Sequence, residues 1–534
     1  MKKMLIIRIA VLVLFFFSII LFVSYPSEMI FNSPDESANA TFALEFANHQ
    51  SLAIPTLFDE SWSRLVHPRS AVVVNNNIVP VSFLGLPVLA GLLALIIGSW
   101  GIVLLTPILA VVSIIAWRKV IYHFFKNERM ADLSALFLLI HPAFWYYSGR
   151  VMMHNIGFIA FLIFALYIFA YQPLVAFDKY KHFLNEIVAG LCVGLALAFR
   201  ASEGLWIATA IAGLFVVYRK RIGLKKMVIF GISVVIALLP FFVLNNTLYG
   251  SPLATGYTVH DQVSDELIDS SLISQEQSSS VVSSLIFPFG IHEMNIIRNV
   301  WHYGFLLYPW MSLLAVLGII FVFKKKEWRP WITIFTLLSI WLALVYGSWN
   351  FHDNPDASVL TIGNSYVRYW LPIFVILSAF SAVGVDKIIS WLETRNIKLA
   401  RIIGFLIIVT ATILSARLVI YGSDGFVNSA KSLESFILKK HIVLEQTSND
   451  AIIIVDMADK YLFPDRQVVF PLRDKEVYAS ISSMLATTEV YYFGITLPEK
   501  DIEYLENVVF VDDSVILREV VMVGDETLYK LILN

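Results

Sequence analysis

The sequence predicts an α-helical bundle that crosses a membrane many times, followed by a small α/β domain. Of its 534 residues, 58% are hydrophobic and only 15% are charged, a composition unlike that of a soluble globular protein. Apolar runs of about 15–22 residues recur over most of the chain, and a helix needs about 20 residues to cross the hydrocarbon core. Helices are predicted because backbone exposed to lipid must satisfy its own hydrogen bonds.

About eleven apolar runs approach the length that a span needs. They are Met4–Val23, Trp100–Trp117, Ala131–Ser148, Asn155–Tyr171, Glu186–Arg200, Gly204–Tyr218, Met227–Leu244, Gly304–Phe323, Trp331–Gly347, Val367–Ile388 and Ile402–Ile420. The first run follows Lys2 and Lys3 and has two interpretations, a signal peptide or a retained anchor. Its length and the lack of a small-residue cleavage site favour the anchor.

Basic residues between the runs predict which ends face the cytoplasm. They cluster at Lys2/Lys3, Arg118–Arg129, Lys179/Lys181, Arg219–Lys226, Lys324–Arg329 and Lys387–Arg401. If each cluster is cytoplasmic, as the positive-inside rule predicts, the spans alternate consistently. The N-terminus is then cytoplasmic and the C-terminal domain extracytoplasmic, and we expect the chain in the plasma or inner cell membrane.

Segment Val81–Ile97 is apolar, but we do not expect it to span. Counting it as a span would place the basic clusters that follow on the outer side. We therefore interpret it as a helix lying at, or dipping into, the outer surface. A true span with a local exception to the charge rule is the alternative.

Three outer segments are long enough to carry function, namely Ser24–Pro80, Asn245–Tyr303 and Ser348–Tyr366. Within the second, Asp261–Ser280 is acidic and rich in Ser and Gln, which is typical of a mobile loop. This loop is either a lid over a site or a plain connection.

After Ile420 the apolar runs give way to a pattern typical of a small α/β domain. A helix is predicted over Phe426–Leu444, and strands are predicted at Ala451–Val455, Gln467–Phe470, Thr488–Phe493, Asn507–Val511 and Ser514–Val521. We therefore expect a membrane domain at residues 1–422 and a soluble extracytoplasmic domain at residues 423–534.

Charge and cysteine content exclude some functions. The net charge of −2 gives no reason to expect a nucleic-acid partner. Cys192 is the single cysteine of the sequence, so the chain forms no internal disulfide and has no cysteine metal cluster. The sequence also has no Walker loop, no GxSxG motif and no HExxH motif.

Two adjacent acids, Asp35 and Glu36, follow the first apolar run and precede a helix-like stretch that begins near Ser37. Adjacent acids at a helix start are often capping residues that favour the positive end of the helix dipole. The functional alternative is acid–base chemistry at the outer membrane surface. Both interpretations remain open from these residues alone.

Basic and aromatic residues accumulate on the predicted outer face. A loop after the acidic pair holds Arg64, His67 and Arg69 in the sequence SRLVHPR, and other outer segments add Arg150, His154, Tyr257, Arg368 and Tyr369. Each alone is more often an anchor to lipid headgroups than a site residue. Together with the acidic pair, they are the groups that a phosphate-bearing lipid substrate would need.

The order of these motifs resembles the GT-C membrane glycosyltransferases. The motifs are a PDE acidic pair after the first span, an HPR loop leading to Gly-Leu-Pro, a YGSP…TGY loop and an RYWLP span start. The chain looks most like the branch that includes protein O-mannosyltransferases and aminoarabinose transferases acting on lipid A. The resemblance covers about the first 420 residues.

The resemblance implies a mechanism. Asp35 falls on the family's essential acid and would act as general base, assisted by Glu36, on the hydroxyl of a protein, glycolipid or polysaccharide acceptor. The donor would be a polyprenyl-phosphate-linked sugar, transferred with inversion, and Arg69, Arg64 or Arg368 would neutralise the departing phosphate. Many relatives have a further acid where this sequence has His154 and Asn155, so no metal ligand is assigned and a divalent metal is left open.

Two other classes compete with a transferase. A transporter or lipid flippase would hold charged residues near the bilayer midplane between repeated halves, whereas here the charges lie near span ends. A non-catalytic assembly or sensor protein would not need the arginine-rich outer surface. A nucleotide-sugar donor is disfavoured because the sequence has no DxD motif.

Overall fold

The computed structural model describes residues 2–22, 28–171, 183–218, 223–260, 290–351, 353, 359–510 and 515–534. The predicted lid or connection at Asp261–Ser280 and the basic residues Lys179, Lys181 and Arg219–Arg221 lie outside the described residues. The orientation expected from those basic residues therefore stays a prediction.

The apolar part of the chain is almost entirely helical. Its helices are Lys2–Ile20, Pro34–His49, Gly85–Ile97, Trp100–Phe125, Glu128–Leu139, Pro142–Gly149, His154–Tyr171, Leu184–Phe199, Gly204–Tyr218, Leu224–Tyr249, Glu293–Asn299, Pro309–Val322, Arg329–Gly347, Ser365–Tyr369, Leu371–Glu393 and Ile397–Tyr421, with a π-helical turn at Val300–Leu306. The predicted α-helical membrane bundle is confirmed.

Fewer helices than expected could be independent spans. By length and composition, five helices in the described part of the chain could cross a membrane, or up to eight if each sharply bent pair is one span. The bent pairs are Pro142–Gly149 with His154–Ala170, Leu184–Phe199 with Ala201–Gly213, and Glu293–Leu306 with Pro309–Val322, bent by 116°, 119° and 95°. The expected count of about eleven is not reproduced.

Local backbone chemistry explains why the expected spans break. The run Ala131–Ser148 was expected to be one helix, but His141 is extended, with φ −62° and ψ 121°. A residue before proline is pushed away from the helical region, and Pro142 follows. Segment Val81–Ile97 has a helix of only 13 residues, Gly85–Ile97, or about 20 Å, too short for a bilayer core of about 30 Å.

The chain divides into two compact units that are not continuous in sequence. One contains residues 1–23, 106–240 and 273–429, and we call it the helical unit; the other contains residues 24–105, 241–272 and 430–534, and we call it the mixed unit. The predicted division at residue 422 followed the end of the apolar runs, whereas these units follow contacts. Residues 24–105, which contain the segment predicted as the first outer one, are thus compact with the C-terminal tail.

Small residues let the helices of the helical unit pack closely. A Cβ at Gly318 would lie 1.8 Å from the Phe380 carbonyl oxygen, and one at Gly384 would lie 2.5 Å from that of Leu314. Close approach at small residues is the usual means of helix association in membranes. The helices Pro309–Val322 and Leu371–Glu393 therefore meet backbone to backbone.

The mixed unit contains two sheets. The first is antiparallel, in the order β1 (Ile54–Pro55), β3 (Asn77–Pro80), β2 (Ala71–Val74). The second has the order β5-β4-β6-β8-β7, made of β4 (Ile452–Val455), β5 (Gln467–Val469), β6 (Val490–Ile495), β7 (Val515–Val523) and β8 (Glu526–Leu533). Strand β4 is parallel to β5 and β6, and β8 is antiparallel to β6 and β7.

This second sheet and the helices Phe426–Gln446, Asp459–Leu462, Lys475–Thr487 and Glu499–Tyr504 confirm the predicted α/β tail. One predicted strand is wrong, since Asn507–Val511 begins within a π-helical turn at Leu505–Val509. Strand β8 was not predicted.

The loop that precedes β2 joins the core of the tail. Trp62 and Val66 pack in one apolar cluster with Ile452, Ile454 and Val469. Val66 also makes an isolated antiparallel bridge with Val469. Burial of these side chains fixes the loop that carries His67 and Arg69.

Candidate functional site

The acidic pair lies at the start of the helix Pro34–His49. Ser33 is extended at the N-cap, Pro34 takes the first helical position, and Asp35 and Glu36 occupy the first turn. Proline suits that position because its missing N–H has no intrahelical partner there, and acids favour the positive end of the dipole. Glu36 is buried and Asp35 half-buried.

Asp35 is held by the loop that carries the predicted arginines. The Ser70 hydroxyl, itself buried, donates to Asp35 Oδ1 at 2.7 Å. One carboxylate oxygen of Asp35 is thereby fixed in orientation. A capping role alone would not need this contact, since it runs from a separate loop and not from the helix.

Both arginines of this loop pair with acids of the tail. The Arg69 guanidinium contacts Asp459 Oδ1 at 2.7 Å, and the backbone N–H of Arg69 donates to Asp459 Oδ2 at 2.9 Å. The Asp459 side chain is fully buried. Arg64 donates to both carboxylate oxygens of Glu476 at 3.1 Å, but its side chain is 61% exposed. Phosphate binding by Arg64 and Arg69 stays a prediction, and within the mixed unit both fasten the loop to the tail.

His67 is half-buried in the same loop. Its Nδ1 lies 3.0 Å from the Pro68 carbonyl oxygen, which can only accept, so we assign the proton to Nδ1. Burial lowers the pKa of His67, and the nearby His260 lowers it further. A neutral ring with Nε2 as a hydrogen-bond acceptor follows.

The YGSP…TGY segment contacts the end of strand β3 and the residues that follow it. The Tyr249 hydroxyl donates to the Pro80 carbonyl oxygen at 2.7 Å, and the Tyr257 ring lies 5.3 Å from that of Phe83. A Cβ at Gly256 would lie 2.2 Å from the Pro80 oxygen, so only glycine permits this approach. Tyr257 itself is 44% exposed.

In the helical unit, Arg368 and Tyr369 form the centre of a second cluster. They lie in the short helix Ser365–Tyr369, whose first N–H groups bond to Asp353 Oδ2 and Asn364 Oδ1. Arg368 donates to the Ser365 hydroxyl at 2.9 Å. Its guanidinium carbon lies 5.1 Å from the centre of the Tyr369 ring.

A second arginine faces the same ring. The Arg200 guanidinium carbon lies 4.6 Å from the Tyr369 ring centre, and the Tyr346 ring stacks on Tyr369 at 4.4 Å. Arg200 pairs with Glu203 at 2.7 Å. Tyr369 thus lies near two guanidinium groups, an arrangement favoured by the ring quadrupole.

The turn after Pro142–Gly149 contributes two more predicted residues, Arg150 and His154, together with Asn155. Asn155 donates to the Arg368 carbonyl oxygen at 3.1 Å, and Arg150 donates to the Tyr146 hydroxyl at 2.8 Å. His154 is buried with its ring edge-on to that of Phe199. Direct contact joins this turn to the Arg368 helix.

Three apolar cavities in the helical unit share lining residues, and one of these residues contacts the cluster. Their volumes are about 220, 370 and 590 Å³. Trp206 lines all three, and its indole N–H donates to Glu203 Oε2 at 2.6 Å. Trp206 therefore connects the apolar cavities with the acid that holds Arg200.

No metal ligands are assigned. Among the described residues, no group of three or more His, Cys, Asp or Glu side chains could hold a metal ion. His154, where the resemblance led us to leave a metal ligand open, packs against the Phe199 ring.

Several site residues were not predicted. Ser70, Tyr346, Asp353, Asp459 and Lys460 all contact predicted residues or their neighbours, and Lys460 donates to the Asn32 carbonyl oxygen at 3.2 Å. Ser70 directly follows Arg69, so its place in the loop was a usable signal. The partners from the tail lie roughly 400 positions along the chain, and sequence pattern carries no signal for such contacts.

Comparison with solved structures identifies the class of fold as that of the GT-C membrane glycosyltransferases. The apo structure of ArnT from Cupriavidus metallidurans is similar with a TM-score of 0.54 at 11% identity, over 99% of this chain and 98% of that one. The Archaeoglobus fulgidus oligosaccharyltransferase, apo and in complex with Zn and sulfate, is similar with a TM-score of 0.53 at 12% identity. These two matches cover 94% of this chain and 70% and 69% of the archaeal chains.

The fold implied by the sequence motifs is confirmed by these neighbours. No protein-family model and no curated protein sequence matches the chain. The similarity of the chain to these proteins is therefore a similarity of fold.

Proposed function

We propose that the protein is a membrane glycosyltransferase of the GT-C type, a hexosyl- or pentosyltransferase. It transfers a sugar from a polyprenyl-phosphate donor to a hydroxyl acceptor on the extracytoplasmic face of the cell membrane, with inversion at the anomeric carbon. One observation carries this proposal: apolar cavities that Trp206 and Glu203 connect to Arg200, in a fold shared with ArnT and an oligosaccharyltransferase.

The isoprenoid chain of the proposed donor would explain why the cavities are apolar. An isoprenoid chain gains on the order of 0.8 kcal/mol per CH₂ removed from water, and the 590 Å³ cavity is lined mainly by apolar residues such as Leu337 and Trp341. A guanidinium matches phosphate oxygens with two parallel hydrogen bonds. We assign the phosphate first to Arg368, because it lies in the same unit as the cavities and its guanidinium faces the Tyr369 ring together with that of Arg200.

Asp35 is assigned as general base. It takes the proton of the acceptor hydroxyl while the acceptor oxygen attacks the anomeric carbon. The bond from that carbon to the phosphate oxygen breaks, and polyprenyl phosphate leaves with the electron pair. Ser70 holds Asp35 in orientation, and Glu36 beside it orients the acceptor.

The test uses purified full-length protein, a panel of polyprenyl-phosphate sugars and detection of free polyprenyl phosphate. Asp35→Asn should lower turnover at least about hundredfold, since a general base contributes about 10²–10⁴. Asp59→Asn is the matched control, because Asp59 is an exposed acid of the same segment that accepts from Asn76. Full turnover in folded Asp35→Asn would remove Asp35 from this role.

A transporter or lipid flippase is the alternative. The same apolar cavities would suit a translocated lipid. Movement of labelled polyprenyl-phosphate sugar across proteoliposomes, with no release of polyprenyl phosphate in the presence of any acceptor, would favour it.

A further inference from the structure

A buried ion pair lies at the other end of the helix that leads to Arg200. Glu186 is in the first turn of the helix Leu184–Phe199, and Arg200 follows its last residue, so the two are about 20 Å apart along the axis. Lys226 Nζ lies 2.7 Å from Glu186 Oε1. Both residues line the cavities of about 220 and 370 Å³.

Close helix packing fixes this pair in place. A Cβ at Gly190 would lie 2.5 Å from the Phe230 carbonyl oxygen, and one at Gly194 would lie 2.5 Å from Ala237 Cβ. The helix Leu184–Phe199 therefore meets the helix Leu224–Tyr249 backbone to backbone, with Glu186 and Lys226 both near helix starts. Both helices start at the edge of an apolar run of the sequence, where a span is expected to meet lipid headgroups.

One carboxylate oxygen of Glu186 has no partner among the residues that the structure describes. Glu186 is 3% exposed, and its Oε2 is buried without a hydrogen bond. A buried acceptor left unsatisfied loses its hydration without compensation. The Lys226 ammonium, whose side chain is 31% exposed, carries three N–H donors, so it retains donors beyond the one used by Glu186.

We propose that this end of the cavity binds the headgroup of phosphatidylethanolamine. The lipid's primary ammonium donates to Glu186 Oε2, its phosphate accepts from Lys226, and an acyl chain enters the cavity. The headgroup is a dipole of one ammonium and one phosphate, which matches a carboxylate beside an ammonium. Six apolar side chains of the smaller cavity surround the chain: Leu162, Phe169, Val193, Ile207, Phe215 and Phe230.

The same chemistry discriminates among lipids. A choline headgroup has no N–H and leaves Oε2 unsatisfied. A glycerol headgroup offers a hydroxyl donor but adds net negative charge to a neutral ion pair. Phosphatidylethanolamine should therefore bind more tightly than either.

The experiment is native mass spectrometry of the purified full-length protein with phosphatidylethanolamine, phosphatidylcholine or phosphatidylglycerol added singly. We expect one tightly bound phosphatidylethanolamine, with the other two lipids at least about tenfold weaker. Glu186→Gln should weaken phosphatidylethanolamine at least about tenfold. Lys398→Gln, which removes an exposed lysine from another helix start, should leave it unchanged.

A double variant keeps the test valid if Glu186→Gln alone fails to fold. Glu186→Gln with Lys226→Met removes both charges, and replacing a buried ion pair by neutral residues is often tolerated. It should lose the preference for phosphatidylethanolamine. Equal affinity for the three lipids in the unmodified protein, or an unchanged preference in the double variant, overturns the proposal. No donor or acceptor is present, so the result does not depend on the proposed transfer reaction.

Discussion

Arg69 of the mixed unit and Arg368 of the helical unit were predicted on the same grounds but have different surroundings. Arg69 contacts a fully buried carboxylate through its guanidinium and its backbone N–H. Arg368 lies against the Tyr369 ring and donates to a serine hydroxyl. The carboxylate contact of Arg69 fastens its loop to the tail, whereas the ring and hydroxyl contacts of Arg368 place its guanidinium in one cluster with that of Arg200.

The largest effect should come from the buried partner of Arg69. Asp459→Ala leaves an uncompensated guanidinium and should lower the free energy of unfolding by about 3–5 kcal/mol. The measurement is thermal unfolding of the purified protein. Glu476→Gln removes the partner of the exposed Arg64 and should cost only about 0–1 kcal/mol. Equal effects of the two substitutions would show that the buried ion pair Arg69–Asp459 stabilises the fold no more than the exposed ion pair Arg64–Glu476.

Arg368→Lys tests the other side of the comparison. Loss of the guanidinium fork should lower turnover of polyprenyl-phosphate sugar about hundredfold, as for removal of a group that stabilises developing charge. The unfolding temperature should change little. Turnover and unfolding temperature are measured on one preparation, so that a loss of activity can be separated from a loss of stability. A variant that loses stability but not turnover would show that Arg368, like Arg69, has a structural role.

Ser70→Ala tests whether the loop contributes to activity by orienting Asp35. It removes the hydroxyl that orients Asp35 and should lower turnover about tenfold, or about 1.4 kcal/mol. Ser70→Thr keeps a hydroxyl and should recover part of the loss. If both variants lose the same activity, packing at this position and not the hydrogen bond is responsible.

The smallest effect concerns pH. Burial lowers the pKa of His67 below its unfolded value, so neutral His67 contributes stability above about pH 6.5, and the contribution is lost as pH falls below that value. The slope should be at most about 1.4 kcal/mol per pH unit. His67→Asn keeps a donor for the Pro68 carbonyl and should flatten the profile of unfolding temperature between about pH 5 and 6.5. An unchanged profile would mean that His67 is solvated in the native state.

Sequence pattern predicted what depends on local chemistry. Apolar runs predicted the helices, charge balance argued against Val81–Ile97 as a span, and the acidic pair was placed at a helix start. Pro142 could have signalled the break at His141. Strand β8 was not predicted, although Gly524, which has φ +68°, lies in the hairpin turn that precedes it.

Contacts between distant segments could not be predicted. The sequence SRLVHPR does not reveal that Arg64 bonds to Glu476 and Arg69 to Asp459. An ion pair leaves no periodic pattern in either of the two segments that it joins. The Tyr369 cluster likewise unites residues from three separate helical segments around Arg200, Tyr346 and Arg368.

The packing of Trp62 and Val66 against Ile452 and Val469 has a consequence for biosynthesis. The ribosome needs roughly 20–80 s to make the intervening four hundred or so residues at about 5–20 residues per second. During that interval the early segment lacks the strands that cover Trp62. The apolar cluster around Trp62 is thus completed only late in synthesis, and a nascent chain stalled before residue 452 should expose Trp62 to proteases or chaperones.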